Sequence, residues 1–155
     1  MRLVRVLPVA VLMVSGAAFA AAAPPPAPVA TPASPADIAP DPALWQDVIT
    51  GQIEAFRKGD APTAFSYAAT AFQKSFTDPA VFMVSIAASG YTPIFTSVSH
   101  SFGKFTLIDA TTVVQVVHFV GPKQELYEAA YALGKEDGGW RVQGVQLAKV
   151  DGLAV

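Results

Sequence analysis

The sequence predicts an α+β domain in which N-terminal helices pack on a curved antiparallel sheet. Apolar residues recur at helical spacing from Trp45 to Phe76, which is typical of helices with one buried face. After Gly90 the pattern changes to runs rich in β-branched and aromatic residues, which favour strands. Between the last two runs, Asp137-Gly138 is a strong signal for a hairpin turn. Helices followed by consecutive strands indicate an antiparallel sheet rather than alternating β and α units.

The helical half of the domain starts with capping residues. Asp41 is a suitable N-cap and Pro42 suits the first helical position, so the first helix should run to about Lys58. Gly59 provides a C-terminal stop, and Gln52 is the one polar residue within the apolar stripe of this helix. The same signals predict further helical segments over Ala61 to about Ala69 with Asp60 as cap, Thr70–Phe76, and Pro79 to Gly90 with Asp78 as cap.

Five β segments are predicted after the helices. They cover Tyr91–Val98, Phe102–Ile108, Thr111–Val120, Glu125–Leu133 and Trp140–Lys149. A turn on Asp137-Gly138, or on Gly138-Gly139, gives the last hairpin one apolar face, formed by Tyr127, Ala129, Tyr131, Leu133, Trp140 and Val142. Its opposite face would then carry Glu128, Arg141, Gln143, Val145 and Leu147. We expect Ile53, Phe56 and Phe65 of the helices to pack on the apolar face.

The segment Thr111–Val120 is apolar on both faces, which is typical of a strand that is covered on both sides. The helices can cover only one of these faces. We therefore expect a homodimer that forms through the sheet. The alternative is a sheet so strongly curved that it closes over its own second face as a cone.

Residues 1–20 are predicted to be a Sec-type signal peptide. Arg2 and Arg5 precede a short apolar run, and Ala18-Phe19-Ala20 is a suitable cleavage site, so cleavage is expected after Ala20. The apolar run is shorter than the ~20 residues needed to span a bilayer. This favours a periplasmic or secreted protein over one held by an N-terminal anchor helix.

Residues 21–40 form a Pro/Ala-rich tract that is expected to be a disordered linker, followed by the folded domain at 41–150 and a tail at 151–155. The chain has no cysteine, so neither a disulfide nor a lipid-modified cysteine can form. Packing alone must stabilise the exported domain.

The charge balance argues against a nucleic-acid partner. After removal of the signal peptide, the chain has eight basic residues against twelve acidic ones and no basic patch. An acidic surface also disfavours adhesion to anionic lipid, so membrane contact is expected only during export.

The layout resembles the NTF2-like (SnoaL-like, cystatin-like cone) superfamily, and within it the bacterial family called domain of unknown function 4864. The resemblance covers about Trp45 to Leu147 and depends on QIEAFRKGDAPTAFSYAA ahead of the strands, together with Asp137-Gly138 and the Trp140-Arg141-Val142 and Gly144 that follow. Further matching positions are Trp45, Val48-Ile49, Asp78-Pro79, Phe82, Tyr91, Pro93 and Phe102-Gly103. The resemblance implies the cone fold and, because the activity of this family is not established, no particular reaction.

Enzymes of this superfamily bury an Asp, His or Tyr in the cone for proton transfer or addition of water. His118 is the ionisable residue of its strand, and one register turns it toward Tyr127, Ala129 and Tyr131. A slip of one residue would instead place it opposite Leu126, on the face of Glu128. The candidate pocket-lining residues are His118, Tyr67, Tyr131, Trp140 and Gln115. The competing interpretation is a core or interface histidine and tyrosines with satisfied hydroxyls.

No catalytic, metal or cofactor motif is recognisable. The chain lacks a phosphate-binding glycine loop, an HExxH pair and a GxSxG elbow. His100, expected near a strand turn and exposed, has no third ligand at a recognisable spacing that would complete a metal site with His118. The leading hypothesis is therefore a non-catalytic module that binds an apolar small molecule or a protein. The alternatives are an isomerase, dehydratase or hydrolase with a pocket histidine, and a structural homodimer in an envelope complex.

Overall fold

The computed structural model describes residues 40–151, in which helices precede a four-stranded antiparallel sheet. The helices are α1 (Ala43–Lys58), α2 (Ala61–Ser66), α3 (Thr70–Ser75), α4 (Pro79–Ile86) and α5 (Thr92–Thr96), with a π-helical turn (Ala87–Tyr91) between the last two. The strands are β1 (Ser99–Asp109), β2 (Thr112–Val120), β3 (Leu126–Glu136) and β4 (Gly139–Val150). The α+β fold class is confirmed. The predicted signal peptide and nearly all of the linker lie outside the described residues.

The helix starts follow the capping chemistry of the sequence. Asp41 accepts a hydrogen bond from the Ala43 N–H at 2.9 Å, and Asp60 accepts one from Thr63 N–H at 3.1 Å. Gly59 closes α1 in the left-handed conformation, with φ +70°. The end of α1 at Gly59 and the start of α2 at Ala61 are confirmed, whereas α1 begins one residue later than predicted, at Ala43.

The second helix ends earlier than predicted because the chain pairs with the sheet. The backbone carbonyl of Tyr67 accepts a hydrogen bond from the Val142 N–H at 2.9 Å, and the Ala69 N–H donates to the Val142 carbonyl at 2.8 Å. Ala68 forms an isolated parallel bridge with Val142 between these bonds. The backbone groups of 67–69 are therefore satisfied by β4 instead of by a continuing helix.

The predicted strand over Tyr91–Val98 is wrong, since this segment is helical. Gly90, with φ +95°, kinks the helix rather than ending it, and Pro93 lies in the first turn of α5, where its missing N–H is not needed. Ile94 is only 1% exposed, so its burial outweighs the strand propensity of the segment. Residues Pro79–Thr96 have a mean hydropathy of 1.2 and, by length and composition alone, could cross a membrane.

The strands form a meander in the order β1-β2-β3-β4. The turn between β3 and β4 lies on Asp137-Gly138, with Glu136 paired to Gly139, as the first of the two predicted turns requires. We call the helix-covered side of the sheet the inner face; its buried residues include Val113, Gln115, Val117, Phe119, Ala129, Tyr131, Leu133, Trp140 and Val142. The outer face carries Val114, Val116, His118, Val120, Leu126, Glu128, Ala130 and Ala132.

The core lies between the helices and the inner face. Ile53 and Phe56 of α1 are buried in one cluster with Tyr131, Trp140 and Val142, and partly buried Phe65 packs against it. The expected packing of the helices on this apolar face is therefore confirmed.

The predicted faces of the last hairpin are wrong for Val145 and Leu147, because β4 contains a bulge. The register shifts between Ala132 and Leu133, and Gln143 is the residue without a partner. The inserted residue changes the parity of the strand, so Val145 pairs with Tyr131 on the inner face. Leu147 is likewise turned inward, and both side chains pack against the core rather than lying opposite it.

Candidate functional site

A partly open apolar cavity of about 230 Å³ lies between α1, the α4–α5 segment and the inner face of β3 and β4. Its lining consists of Gln52, Phe56, Ala68, Phe72, Phe82, Ile86, Ser89, Tyr91, Ile94, Tyr131, Val142, Gly144 and Val145. No Asp, Glu, Lys, Arg or His belongs to this lining among residues 40–151. The cavity therefore suits apolar groups better than charged ones.

The Tyr131 side chain belongs to the lining and ends in an unusual buried hydroxyl. Its side chain is fully buried, and its hydroxyl has no hydrogen-bond partner within the described part of the chain. Burial raises the pKa of Tyr131 above its ordinary value, and the positive charge of Arg57 opposes this only in part. The hydroxyl is thus a protonated donor without an acceptor, a state that costs about 1–3 kcal/mol.

Each of the other polar side chains of the lining donates one hydrogen bond to a backbone carbonyl. Gln52 donates its amide to the Ala64 carbonyl at 3.2 Å, and the Ser89 hydroxyl donates to the Ser85 carbonyl at 2.7 Å. The Tyr91 hydroxyl donates to the Val145 carbonyl at 2.6 Å, which ties the π-helical turn to β4 at the cavity wall.

His118 lies on the outer face, away from the cavity. It pairs with Glu128 across β2 and β3, and its Nε2 is 3.2 Å from the Glu128 Oε2. The two side chains are 46% and 52% exposed. The register that turned His118 toward Tyr131 is therefore wrong. The loop of residues 121–125 joins Val120 to Leu126, which pair directly. A loop of this length places His118 on the same face of the sheet as Glu128.

Gln115 is buried on the inner face but belongs to a structural network rather than to the cavity. Its Oε1 accepts from the Trp45 indole N–H at 3.0 Å. Its amide donates to the carbonyls of Gly103 and Lys104, at 2.9 and 3.3 Å, where β1 has a register shift. Gln115 thereby provides hydrogen-bond partners both for the backbone carbonyls at the β1 register shift and for the indole N–H of Trp45.

Trp140 and Tyr67 also lie outside the lining of this cavity. The Trp140 ring packs edge-on against Trp45, with centroids 5.4 Å apart. The half-buried Tyr67 ring lies over Gly51 of α1, so closely that a Cβ at that glycine would clash with it. Of the five sequence-predicted candidates, Tyr131 alone lines the cavity.

His100 is half-buried on the inner face, so its expected exposure is wrong. Its Nε2 is 3.3 Å from the Thr50 hydroxyl, and its Nδ1 is 3.4 Å from Nη2 of Arg57. Burial lowers the pKa of His100, and the charge of Arg57 lowers it further. No group of three or more His, Cys, Asp or Glu residues that could hold a metal occurs within residues 40–151.

The sequence contained one signal for the cavity that the candidate set did not use. Gln52 interrupts the apolar stripe of α1, and the structure places this residue in the lining, 2% exposed. A polar residue on an otherwise apolar helix face marks a buried polar contact. The sequence could not predict that Ser89 and Tyr91 line the cavity, because their positions depend on the kink of the π-helical turn.

The sequence pattern of the family described as Domain of unknown function (DUF4864) matches residues 39–155. The chain belongs to this family. A comparison with curated proteins finds no match. The predicted resemblance to the family is thereby confirmed.

Solved structures show the same cystatin-like, NTF2-like fold. A domain of unknown function with a cystatin-like fold from Nostoc punctiforme matches with a TM-score of 0.51 and 13% identity, over 74% of this chain and 82% of that one. An NTF2-like protein from Novosphingobium aromaticivorans matches with a TM-score of 0.45 and 16% identity, over 72% and 82%. A ketosteroid isomerase-like protein from Erwinia carotovora matches with a TM-score of 0.47 and 11% identity, over 71% and 96%. At these identities the likeness concerns the fold alone.

Proposed function

We propose that this protein is an exported, non-catalytic domain that binds an apolar small molecule in the cavity beside Tyr131. The observation that carries this proposal is a partly open cavity of about 230 Å³ with a mostly apolar lining that includes no Asp, Glu, Lys, Arg or His among residues 40–151. An apolar molecule bound there would fill the cavity and restore packing contacts.

The lining supports binding better than catalysis. Acid–base catalysis needs a group whose pKa lies near the working pH, within reach of the substrate. Burial moves the pKa of Tyr131 away from that range, and the two histidines of the chain, His100 and His118, do not line the cavity. A pocket-histidine enzyme therefore has no support at this site.

The proposal is tested with two bulky substitutions on the same helix. Ile86 faces the cavity, whereas Val84 of α4 is 67% exposed, so Ile86→Trp should fill the cavity and Val84→Trp should not. A panel of neutral aromatic compounds is titrated by protein NMR against wild type and both variants. We expect wild type and Val84→Trp to bind members of the panel and Ile86→Trp to bind them at least tenfold more weakly. Equal binding by all three folded proteins would place the ligand elsewhere and contradict the proposal.

We also propose that two copies of this chain associate through the outer face of the sheet. This face combines small and apolar side chains such as Val116 and Ala130 with the polar pair of His118 and Glu128. Such a face suits packing against a second sheet. Wild type should sediment as a dimer at micromolar concentration, and Val116→Lys as a folded monomer. A monomeric wild type would refute the dimer.

A further inference from the structure

Gln52 contributes a side-chain amide to the buried part of a mostly apolar wall. The side chain lines the cavity, and the residue is only 2% exposed. Its Nε2 donates to the Ala64 backbone carbonyl at 3.2 Å. Because a carbonyl oxygen can only accept, this contact fixes the NH₂ end of the amide toward Ala64 and turns Oε1 away from it.

The Gln52 Oε1 is an unused acceptor that stays open to the cavity. It accepts no hydrogen bond within residues 40–151, where the amide makes its one contact through Nε2. In this part of the chain, the Tyr131 hydroxyl is the one enclosed side-chain N or O atom that lacks a partner. The Gln52 Oε1 also lacks a partner, so it is not enclosed. Since Gln52 is otherwise buried, the open space that Oε1 faces is the cavity that this residue lines.

The unused hydrogen-bonding capacity of the lining consists mainly of acceptors. The hydroxyls of Ser89 and Tyr91 donate to backbone carbonyls at 2.7 and 2.6 Å. A hydroxyl has one hydrogen, so these two oxygens can only accept further bonds. With the Gln52 Oε1 they make three acceptors, against one remaining N–H of the Gln52 amide, since the Tyr131 hydroxyl is enclosed. This balance favours a ligand that donates a hydrogen bond.

The size and charge of the cavity limit the rest of the ligand. A cavity of ~150 Å³ lined by apolar side chains is known to hold one benzene ring, so about 230 Å³ leaves room for a slightly larger ring system. The described lining has no acidic side chain that could pair with a cation. A buried ammonium group would lose its hydration without a counter-charge, which is unfavourable, so the donor should be neutral.

We propose that the ligand is a neutral, ring-sized apolar compound with an N–H or O–H group that donates a hydrogen bond to Oε1 of Gln52. This inference rests on the proposed function, because it specifies what the cavity binds. Ser89 is exposed, so solvent can reach its oxygen, whereas Gln52 is buried. A ligand without a donor would cover the Gln52 Oε1 and leave it unpaired, which weakens binding.

Three probes of similar shape test the inference. Indole has one N–H donor, benzofuran replaces that N–H with an ether oxygen, and 2-aminoindane carries an ammonium group at neutral pH. Dissociation constants are measured by protein NMR titration on wild type and on Gln52→Met, in which the side chain keeps its length but loses the amide. The matched control is Gln73→Met. The Gln73 amide also donates to a backbone carbonyl, that of Ala68 at 2.9 Å, but it lies outside the described lining.

In wild type, indole should bind about five- to tenfold more tightly than benzofuran, the ratio that one net hydrogen bond provides. Gln52→Met should abolish this preference, Gln73→Met should keep it, and 2-aminoindane should bind more weakly than indole by about tenfold or more. Equal binding of indole and benzofuran to wild type would overturn the donor inference and leave the proposed function intact. Tighter binding of 2-aminoindane would overturn the neutral class. Failure of every probe to bind would overturn both proposals.

A second measurement on wild type does not depend on the folding of Gln52→Met. Bound indole should show NOEs from its N–H and the adjacent ring C–H to the side-chain amide protons of Gln52. NOEs to other residues of the lining without any to this amide would overturn the assignment to Gln52, as would an unchanged preference in folded Gln52→Met.

Discussion

Substitution of Gln115 by leucine should destabilise the domain strongly, although the two side chains have similar size. Gln115 is fully buried and connects three parts of the fold. The change leaves the wholly buried Trp45 indole N–H without its acceptor at 3.0 Å. It also leaves the Gly103 carbonyl, in the β1 bulge, without its donor at 2.9 Å.

The magnitude follows from these orphaned groups. A buried polar group without a partner costs about 1–3 kcal/mol, so two such groups cost about 2–6 kcal/mol, and the greater hydrophobicity of leucine recovers about 1–2 kcal/mol. The middle of these ranges gives an expected net loss of about 2–3 kcal/mol from the free energy of unfolding. Gln46→Ala is the matched control, because Gln46 is half-buried and donates to the same oxygen at 3.1 Å. It should cost less than about 1 kcal/mol.

Urea unfolding followed by tryptophan fluorescence measures both variants, since the two tryptophans of the chain, Trp45 and Trp140, are buried in the core. Hydrogen exchange of the Trp45 indole N–H provides a second measurement, and it should accelerate in Gln115→Leu. A loss below about 1 kcal/mol with an unchanged denaturant slope would refute the reasoning. It would mean that the bulge carbonyls and the indole are satisfied in some other way.

Three further predictions test the core, the pH response and the export of the protein. Phe56→Ala should cost about 3–5 kcal/mol in urea unfolding, and a loss below about 1 kcal/mol would contradict the placement of α1. The lowered pKa of His100 means that the unfolded chain binds more protons just below pH 6.5, so stability should fall as the pH is lowered through this range, and His100→Gln should flatten the curve. An unchanged curve in that variant would exclude His100 as the cause. Mass spectrometry of the exported protein should find an N-terminus at or near Ala21, whereas retention of the full-length chain in the cytoplasm would refute the signal peptide.

Features that depend on neighbouring residues could be predicted from the sequence. Asp41, Asp60 and Asp78 cap helices through hydrogen bonds to N–H groups two or three residues away. The Asp137-Gly138 turn is likewise local. Such interactions form within one turn of chain, so residue type and spacing are sufficient to identify them.

Features that depend on strand parity could not be predicted in this way. The sequence leaves the face of His118 open between two registers and predicts the wrong face for Val145, and in both cases one residue decides the outcome. The loop of residues 121–125 sets the face of His118, and the unpaired Gln143 sets the face of Val145. Apolar and polar residues occur on both sides of these strands, so the sequence pattern does not exclude the wrong register.

The segment 91–98 shows a different reason for failure. Its β-branched and aromatic residues favour a strand, and Gly90 resembles a helix stop. In the structure, Gly90 adopts φ +95° within a π-helical turn, and the helix resumes at Thr92. Such turns are often found at functional sites, and here Ser89 and Tyr91 of the turn line the cavity.

The β4 bulge and the π-helical turn together build the wall of the cavity next to Tyr131. The bulge turns Val145 inward, where it pairs with Tyr131 and presents its carbonyl to the Tyr91 hydroxyl. The amide end of the exposed Gln143 side chain lies over Gly134, so a Cβ at this position would displace it. Without the bulge, regular pairing beyond Leu133 and Val142 would place Gly144 opposite Tyr131 and turn Val145 to the outer face. The same irregularity that defeats the sequence pattern therefore brings Val145 into the wall of the cavity.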